Sequence, residues 1–332
     1  MGDSIQPRFS VFRQKKDMTS RTACGLFLLL SLILTECTSG KDDPAPAAIT
    51  QWTKNSSGSS EVLLGVSFVN ESVGYMVGTN GTIRVTNDGG TSWTSQSSGV
   101  TKFLRDVCFT NSTTGTIVGE SGLILKTTNG STWSAQTSGT SEHLVHVHFV
   151  SATIGMATGQ GGVILKTIDG GANWVKQNSG TSVELPGVYM LSESIAVAVG
   201  FGGKILRTTD GGVNWETIVV PGLSSDLRGV HFSGNNGVIV SMSGTILRTT
   251  DGGKSWTIAP NTGTGNLYCV AFSDANVVFA GGTGRVLVSN DGGASWTSAA
   301  TDKFSEDLYG MSIKGASGWT VGQNGLLLRK VN

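Results

Sequence analysis

The chain has 332 residues in which 23 Lys and Arg balance 23 Asp and Glu, and charged residues make up 14% of the whole. Charge so sparse and even excludes a disordered acidic or basic tail and a strong electrostatic grip on nucleic acid. Gly at 48 against Pro at 6 points to many tight turns in an ordered chain, and no run reaches the ~18 apolar residues of a membrane span.

Residues 1–37 read as an export signal. Arg8, Arg13, Lys15, Lys16 and Arg21 precede the apolar stretch Leu26-Phe27-Leu28-Leu29-Leu30-Ser31-Leu32-Ile33-Leu34, which suits a signal h-region and is too short to span a bilayer. Met18 offers a second start that gives a leader of more usual length. The tail Leu34-Thr35-Glu36-Cys37 resembles a bacterial lipobox, with Glu36 where that pattern has a small residue. The resemblance implies lipidation at Cys37, and hence an exported lipoprotein of the cell envelope whose membrane contact is the lipid alone. Residues 38–49 form a polar tether and residues 50–332 the folded domain.

Seven copies of one unit fill that domain. Tryptophans stand at Trp52, Trp93, Trp133, Trp174, Trp215, Trp256 and Trp296, 40 or 41 residues apart. Each unit opens on Leu-x-x-Val-x-Phe or a variant, beginning at Leu63, Leu104, Leu144, Leu185, Leu227, Leu267 and Leu308. A Gly-bounded apolar run follows, then Gly-x-Ile-Leu-x-Thr, then a turn ending in Trp. Period-two alternation, β-branched residues and turn signals every 8–12 residues predict four antiparallel strands per unit, the signature of a propeller blade. The Trp-bearing strand is expected outermost.

The seventh unit has no Trp turn of its own. Gln51-Trp52-Thr53-Lys54 matches Ser92-Trp93-Thr94-Ser95, so the N-terminal strand is expected to complete the last blade. That pairing removes two open sheet edges. The expected fold is an all-β, seven-bladed β-propeller.

The turns carry Asp88 to Trp93, Asp169 to Trp174, Asp210 to Trp215, Asp251 to Trp256 and Asp291 to Trp296, with Asn129 in the shorter turn before Trp133. Asp-Gly-Gly-x-x-Trp is similar to the Asp-box of bacterial neuraminidase repeats. The longer unit, read without a gap from Val199 to Gly212, resembles the photosystem II assembly and stability factor family. The resemblance covers all seven units and implies a propeller that assists assembly by contacting a protein client. The Asp-box carboxylates recur around a ring and cannot converge, so a turn-stabilising role is expected of them.

A basic residue recurs at Lys126, Lys166, Arg207, Arg248 and Arg329, interrupted by Val85 and Val288. By the family resemblance these are candidates for a partner surface; a solvated face whose stems cover the neighbouring Trp is the plainer reading. The mouth where inner strands begin gathers loops from all blades. There Arg105, Arg228, Tyr268 and Tyr309, with Phe201 on the same rim, form the candidate ligand site, ringed by Glu61, Glu142, Glu184, Asp226, Glu306 and Asp307. His146 and His148 share one side of a strand, yet no Asp, Glu or Cys partner is evident at matching spacing, and packing between blades is expected. Cys108 and Cys269 fall in distant units and are expected to be buried, unpaired thiols. No catalytic residue, metal site or cofactor is expected. The reading is an envelope-tethered, non-enzymatic binding scaffold, with a sialidase-like or other Asp-box carbohydrate-active enzyme, or a glycan-binding module, as the alternatives.

Overall fold

The computed structural model describes residues 51–260, 263 and 265–331. The leader, the tether and Cys37 lie outside them. Seven sheets follow one another in chain order, each antiparallel and four-stranded at its core. Blade one is representative, with strands Leu63–Phe68, Gly74–Gly78, Ile83–Thr86 and Thr94–Gln96. Each inner strand touches the inner strands of both neighbouring blades, and the seventh returns to the first. The expected seven-bladed propeller is the observed fold.

Two local features differ from the sequence reading. The third strand begins only after a short 3-10 turn, Thr79–Gly81 in blade one. Trp93 precedes its strand, and so do its counterparts other than Trp52, because the aromatic ring is used to fasten the turn to the blade interior. It packs edge-on against Phe68 of the inner strand at 5.8 Å, and Phe109–Trp133, Phe149–Trp174 and Phe232–Trp256 repeat the contact.

Blade seven closes the ring with chain from both ends of the domain. Its strands are Leu308–Lys314, Ser317–Gly322, Leu327–Val331 and the N-terminal Gln51–Asn55. Gln51 pairs with Val331 and Asn55 with Leu327, antiparallel. Trp52 is fully buried and meets Phe279 of blade six edge-on at 5.5 Å. A fifth strand, Ala300–Thr301, adds in parallel outside Gln51–Asn55. It covers an edge that would otherwise be open. Asp302 then accepts a 2.8 Å bond from the Lys54 N–H.

Candidate functional site: the channel mouth

Six of the seven inner strands bulge at one place, just after their first Leu. A bulge re-aims a side chain, and the residues so placed are Leu64, Arg105, Val145, Arg228, Tyr268 and Tyr309. In blade four the position is Pro186, which has no N–H for a ladder, and the strand starts one residue later at Gly187. All seven residues line one central cavity of about 810 Å³. The mouth constellation expected from the sequence is therefore assembled.

Its two arginines are held by aromatic rings more than by ions. The Arg228 guanidinium lies 4.6 Å over the Phe201 ring, which places Phe201 on the rim beside the channel. Arg105 lies 5.8 Å over Phe103 and 4.0 Å from the Glu120 carboxylate. The Nε of each arginine is buried without a hydrogen-bond partner. Across the opening, the Tyr268 and Tyr309 rings stand 5.3 Å apart, and the Tyr309 hydroxyl donates to Asp307 at 3.3 Å. Burial and the nearby Asp307 charge push the Tyr309 phenol above its ordinary value.

Most of the acidic rim is engaged in its own turns. Glu61 accepts from Thr79 Oγ1 at 2.6 Å and Asn80 Nδ2 at 2.9 Å, Glu120 from the Phe103 N–H at 3.0 Å, and Asp226 from the Gly202 N–H at 2.9 Å. Asp307 accepts from Thr283 Oγ1 and Gln323 Nε2. These bonds stabilise the positive-φ turns of the rim, such as Asn80 at φ 53°.

Deeper in the channel lies a feature that repeat-by-repeat reading missed. Asp106 and His146, two residues after the first Leu of blades two and three, face each other with Oδ2 and Nε2 3.6 Å apart. The corresponding residues are Gly65, Gly187, Gly229, Cys269 and Gly310, so an ionisable pair replaces small uncharged residues in two adjacent blades. Asp106 also accepts from the Val147 N–H at 3.0 Å. Burial raises its carboxyl above the ordinary range, with His146 acting against the rise. The signal was present in the sequence as two departures from a Gly position, one repeat apart.

His148 and His231 occupy a lower level, where each Nδ1 accepts a backbone N–H of the next blade: Met190 at 3.2 Å and Phe272 at 3.4 Å. Ser67 and Ser312 do the same for Phe109 and Phe68. Tyr189 packs between the two imidazoles at 4.2 and 4.8 Å. Burial depresses His148 to about 3 and His231 to about 4, so both are neutral acceptors. This is the expected packing between blades for His148 and His231, whereas His146 has in Asp106 the acidic partner that was not expected. Among the described residues no three His, Cys, Asp or Glu gather to hold a metal. Cys108 and Cys269 are free thiols, pushed up to about 12 by loss of solvent; Cys269 is buried as expected, whereas Cys108 is only half-buried.

The Asp-box carboxylates serve their turns. Asp88 accepts from Thr86 Oγ1 at 2.8 Å, the Ser92 N–H at 2.9 Å and Ser92 Oγ at 2.6 Å. Thr86 Oγ1 in turn accepts the Gly90 N–H, whose φ of 84° suits Gly alone. Asp169, Asp210, Asp251 and Asp291 repeat the arrangement. Asn129 substitutes through its amide oxygen, which accepts the Ser131 and Thr132 N–H groups.

The recurring basic residues, offered above as a partner surface, reach between blades. Lys166 Nζ donates to the Gly211 carbonyl at 2.7 Å, Arg207 Nε to Gly252 at 2.9 Å and Arg248 Nε to Gly292 at 2.9 Å. Arg329 donates to Thr91 Oγ1 at 3.3 Å. A Cβ on Gly170 would lie 3.9 Å from Lys126 Nζ, which reaches toward the same place one blade earlier. Arg207 is only 7% exposed. Each of the five thus extends to the Asp-Gly-Gly turn of the following blade, an account that neither the partner surface nor the solvated face supplies.

The comparisons bear on this ring of units. A family model described as photosynthesis system II assembly factor YCF48 matches residues 45–135, 96–220, 188–262 and 257–331, together most of the chain. The chain belongs to that family. Among solved structures, a YCF48 bound to D1 peptide aligns with a TM-score of 0.70 at 22% identity, covering 87% of this chain and 99% of its own. YCF48 from Cyanidioschyzon merolae aligns at 0.70 and 21% identity, covering 84% of this chain and 98% of that one. No curated protein matches the sequence. At these identities the solved members of the YCF48 family speak for a shared propeller fold.

Proposed function

We propose that this YCF48-family propeller is a binding scaffold that takes a segment of a protein client at its channel mouth. We further propose that lipid on Cys37 holds it at the cell envelope. The observation that carries the first reading is the mouth itself: two guanidiniums on aromatic rings, two phenols and an apolar wall, open to an 810 Å³ channel. Such a mix of aromatic and Arg groups is typical of protein-binding centres. A YCF48 that holds a D1 peptide lends the reading support from a protein of the same fold.

A carbohydrate-active enzyme would need two carboxylates flanking the bond to be broken. The residues lining the channel include one, Asp106, already joined to His146.

Crosslinking and recovery of the full chain from its own membranes, with and without Arg105→Ala/Arg228→Ala, tests the scaffold. Loss of the same partner proteins from the double variant is expected. An unchanged partner set removes the mouth from the proposal, and glycoside turnover by the purified domain removes the scaffold itself. For the anchor, Cys37→Ser is expected to move the protein from the membrane to the soluble fraction.

A further inference from the structure

The Asp106–His146 pair sits one residue below Arg105, in the wall of the same cavity. It is an unusual place for charge. At the equivalent position a Cβ on Gly65 would come within 2.8 Å of Asp106 Cα, and one on Gly310 within 3.0 Å of the Leu64 carbonyl. Four blades therefore use Gly for close approach, while blades two and three set a half-buried acid against an imidazole that is 34% exposed. A partly exposed pair at this separation brings little net stability, so packing alone does not explain the exchange. His146 Nδ1 is buried and has no partner, and 3.6 Å is too long for a strong bond between the pair.

We propose that the Asp106–His146 pair sets the charge of the mouth, so that anionic groups bind there more tightly as pH falls. This rests on the mouth being a binding site. The sign does not depend on which partner takes the proton: imidazole becoming imidazolium, or carboxylate becoming acid, adds one positive charge beside Arg105. Imidazole is the side chain that changes charge between about pH 5 and 8.

The other ionisable groups around the pair are accounted for. On the same strands stand Arg105, Cys108 and His148. From neighbouring elements come His231, Tyr189, Lys314, Tyr268, Tyr309, Arg228 and Cys269, with Glu61, Glu120, Glu142, Glu184, Asp226, Glu306, Asp307 and His143 on the rim. His148 and His231 are held neutral well below this range, and Cys108 is protonated throughout it. His143 is a second imidazole, outside the cavity wall, whose Nδ1 accepts the Ser121 N–H.

The test uses naphthalene trisulfonate, an aromatic anion whose charge is fixed over the range, titrated into the purified propeller by calorimetry. Affinity is expected to rise roughly fivefold between about pH 7.5 and 5.5. His146→Gln should flatten that slope while keeping measurable binding, Asp106→Asn should move it to lower pH by removing the charge that favours imidazolium, and His143→Gln should leave it intact. Binding without a pH slope, or a slope that His143→Gln abolishes and His146→Gln leaves intact, overturns the proposal while the mouth stands. Absence of binding at every pH, or binding that Arg105→Ala/Arg228→Ala does not weaken, takes the mouth and the proposal together.

Discussion

Arg207 Nε and the Gly252 carbonyl meet at 2.9 Å across the gap between blades four and five, with the guanidinium stem buried. The same tie recurs around the ring, and its two gaps follow from the partner turn. Blade one has Val85, and the waiting Gly130 carbonyl of blade two receives Tyr75 Oη at 3.1 Å and Gln96 Nε2 at 2.9 Å instead. Blade six has Val288 because blade seven takes its outer strand from the N-terminus and has no Asp-Gly-Gly turn to receive a donor. Val288 packs in the cluster that includes Trp52.

Replacing Arg207 by Met keeps the stem and removes the donor. A buried hydrogen bond from a charged group contributes about 1.5–3 kcal/mol, so Arg207→Met should lower unfolding stability by about 2 kcal/mol in urea titration. Val288→Arg, which restores the repeat consensus, should destabilise as well, since it buries a charge with no acceptor. Wild-type stability in Arg207→Met would refute the tie.

Acid should unfold the domain in two stages. His148 and His231 have folded values near 3 and 4 against an ordinary 6.5. The unfolded chain then binds more protons below 6.5, and stability falls as pH drops through that value. Asp88, Asp169, Asp210, Asp251 and Asp291 are held at about 2 by hydrogen bonds from their own turns. Their contribution is present above 3.8 and is lost as pH falls from there towards 2. Asp106, raised by burial, acts with the opposite sign just above 3.8. Melting temperature recorded against pH should therefore decline from about 6.5 downward, and His148→Gln/His231→Gln should delay the decline. An unshifted profile in the double variant would exclude the histidines as its cause.

Within the Asp-box, amide should substitute for acid better than Ala does. Asn129 already makes two of the backbone bonds, so Asp210→Asn is expected to melt close to wild type near neutral pH. Asp210→Ala loses the acceptor for Thr208 Oγ1, the Asn214 N–H and Asn214 Nδ2, and should melt lower. Equal melting of the two variants would mean that the carboxylate does not hold the turn.

The sequence was most informative where the repeat was regular. Trp spacing and the seven Leu-led cores were enough for blade number, strand order and ring closure, because each reflects one blade's own pattern. Contacts between blades were less legible. The basic residues could be seen to recur, but their acceptors are backbone carbonyls about one repeat away, and carbonyls leave no mark in a sequence. Asp106 and His146 were hidden for a related reason: they become a pair only when adjacent blades are superposed position by position. Ala300–Thr301 was missed because a two-residue strand paired in parallel has no periodicity to read.

Closure of the ring is the feature most exposed to experiment. Without residues 51–58, blade seven would be left with Leu327–Val331 as a bare edge and Ala300–Thr301 with nothing to pair to. The truncated chain should therefore fail to give a cooperative melt. Trp52→Ala separates packing from pairing, since the strand remains while a fully buried ring is lost. That loss should cost about 3–5 kcal/mol. Asp302→Ala removes only the acceptor for the Lys54 N–H and should cost less than Trp52→Ala. A truncated protein that melts like the intact one would mean that the last blade closes without the N-terminal strand.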